Sequence, residues 1–256
     1  MSIPICKYCG KVYKKNNKIL KELPDFVKKH IEYIPDCDCL LKIQEKEFRE
    51  MERKMDIESR KNKIKKFKDL SLIDKKFLNS TFENACLDER YMEISLKFAK
   101  NFVKKNFYPK GIFFYGSVGT GKTFASSCIA NYLMKNGKTA FIINMGLYIS
   151  KLQREWSEGE KDVLDLVKNC DLLVIDDFGV EKVSEFVVSK VFTLIDTRYR
   201  STKTTIITSN FSIEEIEKRF DSRIADRINE MCFPLIVNGK SKRKCSPKEF
   251  FDFINL

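Results

Sequence analysis

Five short runs of apolar, β-branched and aromatic residues punctuate the chain: GIFFYG (111–116), TAFIINM (139–145), DLLVID (171–176), TTIITS (204–209) and FPLIVN (233–238). Each has the length of a strand and is apolar at consecutive positions, as a strand covered on both faces must be. Four longer stretches separate them, 122–135, 147–168, 184–200 and 212–231, and these read as helices. Strand–helix alternation of this kind predicts an α/β fold, a parallel sheet sandwiched between helices. Ahead of the first strand, NSTFENACLDERYMEISLKFAKNFVKKN opens on N-cap residue types. It continues with Tyr91, Ile94, Phe98 and Phe102 at helical spacing, until Pro109 and Gly111 end the helix.

The N-terminal third has a different pattern. Residues 41–70 hold no Gly or Pro and are rich in Lys, Glu and Arg, a composition that favours helix. Phe48, Met51 and Met55 form one short apolar stripe, and Ile64 and Phe67 another. A solvated helical linker, continuous or broken, with one weak docking face fits this segment; a plain spacer fits it too. The expected organisation is a Cys-rich domain over 1–41, the charged linker over 42–74, and an α/β domain over 75–256.

Composition narrows the setting. No run approaches 18 consecutive apolar residues, so no membrane span is expected. The first residues, MSIPICKYCGKVYKK, contain no apolar core of a secretory signal. Nine Cys without such a signal point to reduced thiols or metal ligands in the cytoplasm. The formal net charge is +12, and residues 1–80 carry 21 Lys/Arg against 13 Asp/Glu. A basic N-terminal third suits a nucleic acid or an acidic partner; a Lys-rich proteome would produce the same excess.

The chemistry begins at GSVGTGKT, which matches G-x-x-x-x-G-K-[ST] in full between an apolar strand and a helix. The glycines let the backbone turn so that successive N–H groups face an anion, and the helix N-terminus adds partial positive charge. The nucleotide contacts expected here are Gly116, Ser117, Val118, Gly119, Thr120, Gly121, Lys122, Thr123 and Phe124. Lys122 can reach the terminal phosphates, and the Thr123 hydroxyl can ligate Mg2+. About 50 residues on, DLLVIDDFG delivers Asp176 and Asp177 at the C-terminal end of a strand, where α/β sheets bind ligands. Asp176 is placed to hold Mg2+ and Asp177 to polarise an attacking water. The strand TTIITSN ends in Asn210, beside the acidic pair if the two strands are neighbours. RFDSRIADRINEM then sets Arg219, Arg223 and Arg227 four residues apart, on one face of a helix. Such a face is either a solvated one partnered by Asp221, Asp226 and Glu230 or an arginine finger offered to a neighbouring subunit's nucleotide. A guanine-selective Asn-Lys-x-Asp signature is absent, which weakens a GTPase reading, while a small-molecule kinase remains a distant alternative.

GSVGTGKT, LLVIDD, TTIITSN and SRIADRI, in this order and spacing, resemble the AAA+ ATPases of the DnaC/IstB type, which comprise bacterial and phage helicase loaders and transposition helpers. The resemblance covers about residues 75–245. It implies a P-loop fold with a five-stranded parallel sheet ordered 5-1-4-3-2, a lid reduced or absent, and ATP-dependent assembly with ATP between subunits and single-stranded DNA in the channel. On this resemblance Lys122 and Thr123 are the Walker A lysine and Mg2+ ligand, Asp176 the Walker B metal carboxylate, and Asn210 sensor 1. Asp177 stands where most AAA+ proteins have a catalytic Glu. Arg227 is implied as the trans arginine finger, and Arg243, within NGKSKR, as the sensor 2 candidate. In the segment 145–162, Tyr148, Lys151 and Arg154 recur at helical spacing and could present a stacking-plus-phosphate surface to DNA; an amphipathic helix packing Leu147 and Leu152 is the other reading.

The N-terminus carries CKYCGK, with Cys6 and Cys9, and a second pair, Cys37 and Cys39. Four thiolates in two close pairs suit tetrahedral Zn2+, with His30 able to replace one ligand, and an iron–sulfur cluster or free thiols as alternatives. Cys86, Cys128, Cys170, Cys232 and Cys245 show no ligand spacing. Related loaders grip the helicase through a Cys-rich N-terminal domain, so the resemblance implies docking on a hexameric replicative helicase. The expected function is thus an ATP-dependent helicase loader that forms a homo-oligomer with ATP. An IstB-like transposition helper and an ATP-gated adaptor that barely hydrolyses are the rivals.

Overall fold

The computed structural model describes residues 3–16, 24–71, 77, 79–85, 87–105, 110–154 and 158–242. The chain divides into two compact units, Met1–Arg60 and Lys61–Leu256.

The first unit is small. Strands β1 (Lys14–Lys15) and β2 (Tyr33–Ile34) pair antiparallel, with helix α1 (Asp25–His30) between them in sequence. A tight turn at Cys6–Gly10 precedes them, in which the Gly10 N–H donates to the Cys6 carbonyl at 2.9 Å and Gly10 adopts φ +72°. Helix α2 (Cys39–Leu70) then runs unbroken for 32 residues. Phe48, Met51 and Met55 are each more than half exposed on it. Its last turns belong to the second unit. There Phe67 is 3 % exposed and meets Phe141 edge to face, with ring centroids 6.3 Å apart.

The second unit holds five parallel strands: β3 (Gly111–Tyr115), β4 (Ala140–Asn144), β5 (Leu172–Phe178), β6 (Thr205–Ser209) and β7 (Cys232–Ile236). They are ordered β4-β5-β6-β3-β7, which in sequence order is the expected 5-1-4-3-2 arrangement. Side chains alternate along each strand. Ile112, Phe114, Ile142, Val174 and Ile206 join the core under helices α3 (Arg90–Lys105) and α4 (Lys122–Lys135). Phe113, Phe141, Ile143, Leu173, Ile175 and Ile207 face the opposite core. That core is covered by α5 (Met145–Arg154), α6 (Glu158–Asn169), α7 (Glu185–Arg200), α8 (Ile213–Arg219) and α9 (Ser222–Met231). The edge strand β4 is covered at one point: Ser71 Oγ accepts the Ile142 N–H at 3.1 Å.

Local chemistry explains where the helices differ from the sequence reading. The stretch 147–168 is two helices, α5 and α6, on either side of residues outside the described set. The stretch 212–231 also divides. Ser212 and Glu215 form a reciprocal capping box at the start of α8, and the Asp221 carboxylate accepts the Arg223 N–H at 2.7 Å to start α9 anew. Arg219 therefore ends one helix while Arg223 and Arg227 lie on the next, and the three do not share a helix face. Arg198 is a buried cation without a carboxylate partner among the described residues. Its guanidinium donates to the carbonyls of Val167 (2.7 Å), Cys170 (3.0 Å), Asp171 (3.2 Å) and Thr204 and to Thr205 Oγ1 (3.1 Å), tying the C-terminal ends of α6 and α7 to the start of β6.

Candidate functional site

The loop between β3 and α4 is shaped by its glycines. Gly116, Gly119 and Gly121 take φ values of +131°, +79° and +106°, where a side chain is strained. At Gly116 a Cβ would lie 2.6 Å from the Val237 carbonyl oxygen. Gly121 occupies the N-cap of α4 and offers no side-chain cap, and no acidic residue stands in the first turn. The opening N–H groups of α4 are thus left for an anion. Lys122 folds back over the loop: its Nζ donates to the carbonyls of Gly116 and Ser117, each at 2.7 Å, and to Asn210 Oδ1 at 2.9 Å. Thr120 Oγ1 closes the turn onto the Ser117 carbonyl at 2.9 Å.

The acidic pair and Asn210 converge on this loop because β6 lies between β3 and β5, with Ser209 opposite both Tyr115 and Phe178. Asp176 is 3 % exposed, and burial raises its carboxyl pKa to about 6 despite a hydrogen bond from Thr208 Oγ1 at 2.7 Å. A buried carboxyl beside the Thr123 hydroxyl favours a cation, which would restore the charged form that desolvation disfavours. Asp177 sits where the β5–β6 register shifts, at φ +53°. The Thr208 hydroxyl accepts its N–H at 3.0 Å and Asn144 Nδ2 reaches its carboxylate at 3.4 Å. Asp tolerates this left-handed geometry better than most residues, and the twist turns Asp177 toward the cavity while Asp176 stays buried.

The resulting cavity of about 550 Å³ is lined by Val118, Gly119, Gly121, Lys122, Thr123 and Phe124, by Asp177, Val180 and Asn210, and by Phe77, Asn84, Tyr91, Met92 and Lys242. Apolar side chains together with the loop N–H groups and Lys122 suit a nucleoside triphosphate. The rim at Tyr91 and Lys242 was not legible in the sequence. Tyr91 donates to the Thr120 carbonyl at 3.0 Å; Lys242 donates to Tyr91 Oη at 2.9 Å and ion-pairs with Glu89 at 2.6 Å. Tyr91 reads as core because its ring is buried, and only its hydroxyl reaches the loop. Thr208 and Asn144 were also missed; the one available signal was a polar residue inside an otherwise apolar strand run. Arg243 lies outside the described residues.

Arg227 does not point freely into solvent. Its Nη2 ion-pairs with Asp196 Oδ1 at 2.8 Å, and its guanidinium lies over the Phe192 and Tyr199 rings at 4.6 and 5.4 Å. Arg223 is paired with Asp221 at 2.9 Å, and Arg219 stacks on Phe211 at 4.5 Å.

Helix α5 settles one alternative. Tyr148 is wholly buried in the core beside Ile149 and Leu152, so it cannot stack on a base. Leu147, expected to pack, is 49 % exposed. Trp156 lies outside the described residues.

In the first unit the thiol sulfurs of Cys6, Cys9, Cys37 and Cys39 all lie within 4.8 Å of one another. Tetrahedral zinc with four thiolates needs sulfurs about 3.8 Å apart. The four thiols compete for protons. Backbone N–H groups of Tyr8 and Cys9 lower the Cys6 thiol to about 6, while hydrogen bonding to the Cys9 thiol, burial and the other thiols push Cys39 up to about 12. A divalent cation satisfies all four at once, so the donor set fits zinc. The His30 side chain, Cys86 and Cys245 lie outside the described residues; Cys128, Cys170 and Cys232 are buried.

Comparison with known proteins agrees with this geometry. The family model of the IstB-like ATP binding protein matches residues 26–249. The replicative helicase loader DnaC of Buchnera aphidicola subsp. Baizongia pistaciae is 29 % identical over 84 % of this chain and 90 % of its own length. The replicative helicase loader DnaI of Bacillus subtilis is 24 % identical over 75 % of this chain and 67 % of its own. Among solved structures, the DnaC helicase loader superposes with a TM-score of 0.57 at 26 % identity, over 64 % of this chain and all of that one. DnaI superposes at 0.59 and 24 % identity, over 69 % of this chain and 98 % of that one, a likeness of fold. No helix among the described residues is long and apolar enough to cross a membrane. With its AAA+ sheet order and complete phosphate-binding loop, the chain belongs to the family of IstB-like ATP-binding proteins.

Proposed function

We propose that this protein is an ATP-dependent replicative helicase loader, acting as a homo-oligomer that binds ATP between subunits and hands single-stranded DNA to a hexameric helicase. One observation carries the choice of loader over transposition helper. The relatives DnaC of Buchnera aphidicola and DnaI of Bacillus subtilis are both named as replicative helicase loaders, and the first aligns over 84 % of this chain and 90 % of its own length. Mg2+·ATP supplies the transferable phosphoryl group and the charge that the site is built to meet. Lys122 exchanges the loop carbonyls for phosphate oxygens, and the first N–H groups of α4 hold the same anion. Thr123 and Asp176 hold Mg2+. Asp177, steered by Asn144, orients the attacking water, and Asn210 fixes Lys122 from the far side. A side chain one methylene shorter than Glu at this position makes for slow turnover, and a finger supplied in trans makes that turnover depend on assembly. Arg227 of one subunit completes the site of the next, and Arg243 is the sensor 2 contact. Zn2+ on Cys6, Cys9, Cys37 and Cys39 folds the small domain that docks on the helicase. Native mass spectra of the chain mixed with its host's replicative helicase, in ADP and in ATP, test this reading. A defined complex with the hexamer is expected; no complex in either nucleotide moves the function to transposition.

A further inference from the structure

We propose that Asp196 is a latch on Arg227, holding the finger against its own subunit until assembly transfers it to a neighbour's nucleotide. This rests on Arg227 acting in trans, as set out above. The contact is well enclosed: the two side chains are only 21 % and 17 % exposed, against 68 % for Arg223 on the same helix. The guanidinium is flanked by the Phe192 and Tyr199 rings, and its Nη1 reaches back to the Arg223 carbonyl at 3.4 Å.

Three features mark the contact as releasable. It is an ion pair without good hydrogen-bond alignment: neither Asp196 Oδ1 nor Arg227 Nε, both buried, has an aligned partner among the described residues. Arg200 already donates to the other Asp196 oxygen at 2.7 Å, so departure of Arg227 does not strand an unpaired carboxylate. Arg223 also lies over Phe192, at 5.0 Å, so that ring keeps a cation when Arg227 leaves. A triphosphate offers the guanidinium more charge and bidentate oxygens than one shared carboxylate does. The latch therefore lowers the fraction of subunits with a free finger and weakens apparent assembly by the same fraction. Asp196 is a positioning residue: it acts through Arg227 and touches no nucleotide.

The test measures ATP turnover against protein concentration for wild type, Asp196→Asn, Arg227→Ala and the double variant, with ATP affinity measured alongside. The latch predicts that Asp196→Asn reaches half-maximal turnover at a concentration about 3- to 10-fold lower. Affinity for ATP stays unchanged, and the double variant behaves like Arg227→Ala. If Arg227→Ala abolishes assembly-dependent turnover while Asp196→Asn leaves the curve in place or shifts it to higher concentration, Arg227 is a finger but Asp196 is no latch. If Arg227→Ala turns over as wild type does, the finger reading fails and the latch with it. Should Asp196→Asn not fold, Asp196→Ser removes the carboxylate and fits a smaller volume. The same leftward shift supports the latch, and no shift overturns it.

Discussion

The two units of this chain solve the problem of holding a fold in opposite ways. Lys61–Leu256 covers both faces of its sheet, and two continuous cores carry Phe113, Ile143, Leu173 and Ile207 on one side and Phe114, Ile142, Val174 and Ile129 on the other. Among its described residues Met1–Arg60 buries almost nothing apolar: Ile3, Ile5, Tyr8 and Val12 are each at least half exposed, and Cys6 is the buried hydrophobic residue. With so little apolar burial in its described part, four converging thiols held by one cation would supply the order that a core supplies in the other unit. Helix α2 carries the contrast within a single element, with Phe48 in water at one end and Phe67 in a core at the other.

The sharpest way to break this comparison is to withdraw the zinc proposed for the four thiols. A chelator should abolish hydrogen-exchange protection at the amides of Cys6, Gly10 and Tyr13, whose backbone bonds define the turn, because structural zinc contributes on the order of 10 kcal/mol of folding free energy. The amides of β3 and β4 should stay protected, and equal loss in both units would contradict the division. A smaller effect separates the two ends of α2. Phe67→Ala should destabilise the second unit by about 3–5 kcal/mol in denaturant unfolding. Phe48→Ala should change it by less than about 0.5 kcal/mol. Comparable losses would mean that the exposed stripe is packed after all.

The same contrast explains what the sequence made legible. The five strands announce themselves because burial on both faces forces continuous apolar runs, and the phosphate loop because its backbone geometry demands glycine at fixed positions. The sheet order came from resemblance; nothing in five similar apolar runs states which neighbours which. Asp176, Asp177 and Asn210 were readable since polar residues ending apolar strands stand out. Tyr91 and Lys242 were not, because Tyr91 meets the loop at Thr120 from 29 residues upstream and Lys242 meets Tyr91 across 151 residues of chain. Tyr148 misled for a related reason: helical spacing places Tyr148, Lys151 and Arg154 together but does not say which way the face turns, and a phenol ring is as much a core residue as a stacking platform. The single helix inferred across 212–231 failed on Asp221, an N-cap residue inside an apparently continuous pattern.

Every nucleotide-dependent step proposed for this protein passes through the cavity at Lys122. The direct test is a calorimetric titration of Mg2+·ATP into wild type and Lys122→Ala, at a protein concentration low enough to keep both as single subunits. The wild type should bind one ATP per chain. The variant should lose affinity by about a hundredfold or more, since the ammonium placed between the loop and Asn210 is gone. Equal affinity in the two proteins would place the nucleotide elsewhere and contradict the account at its base.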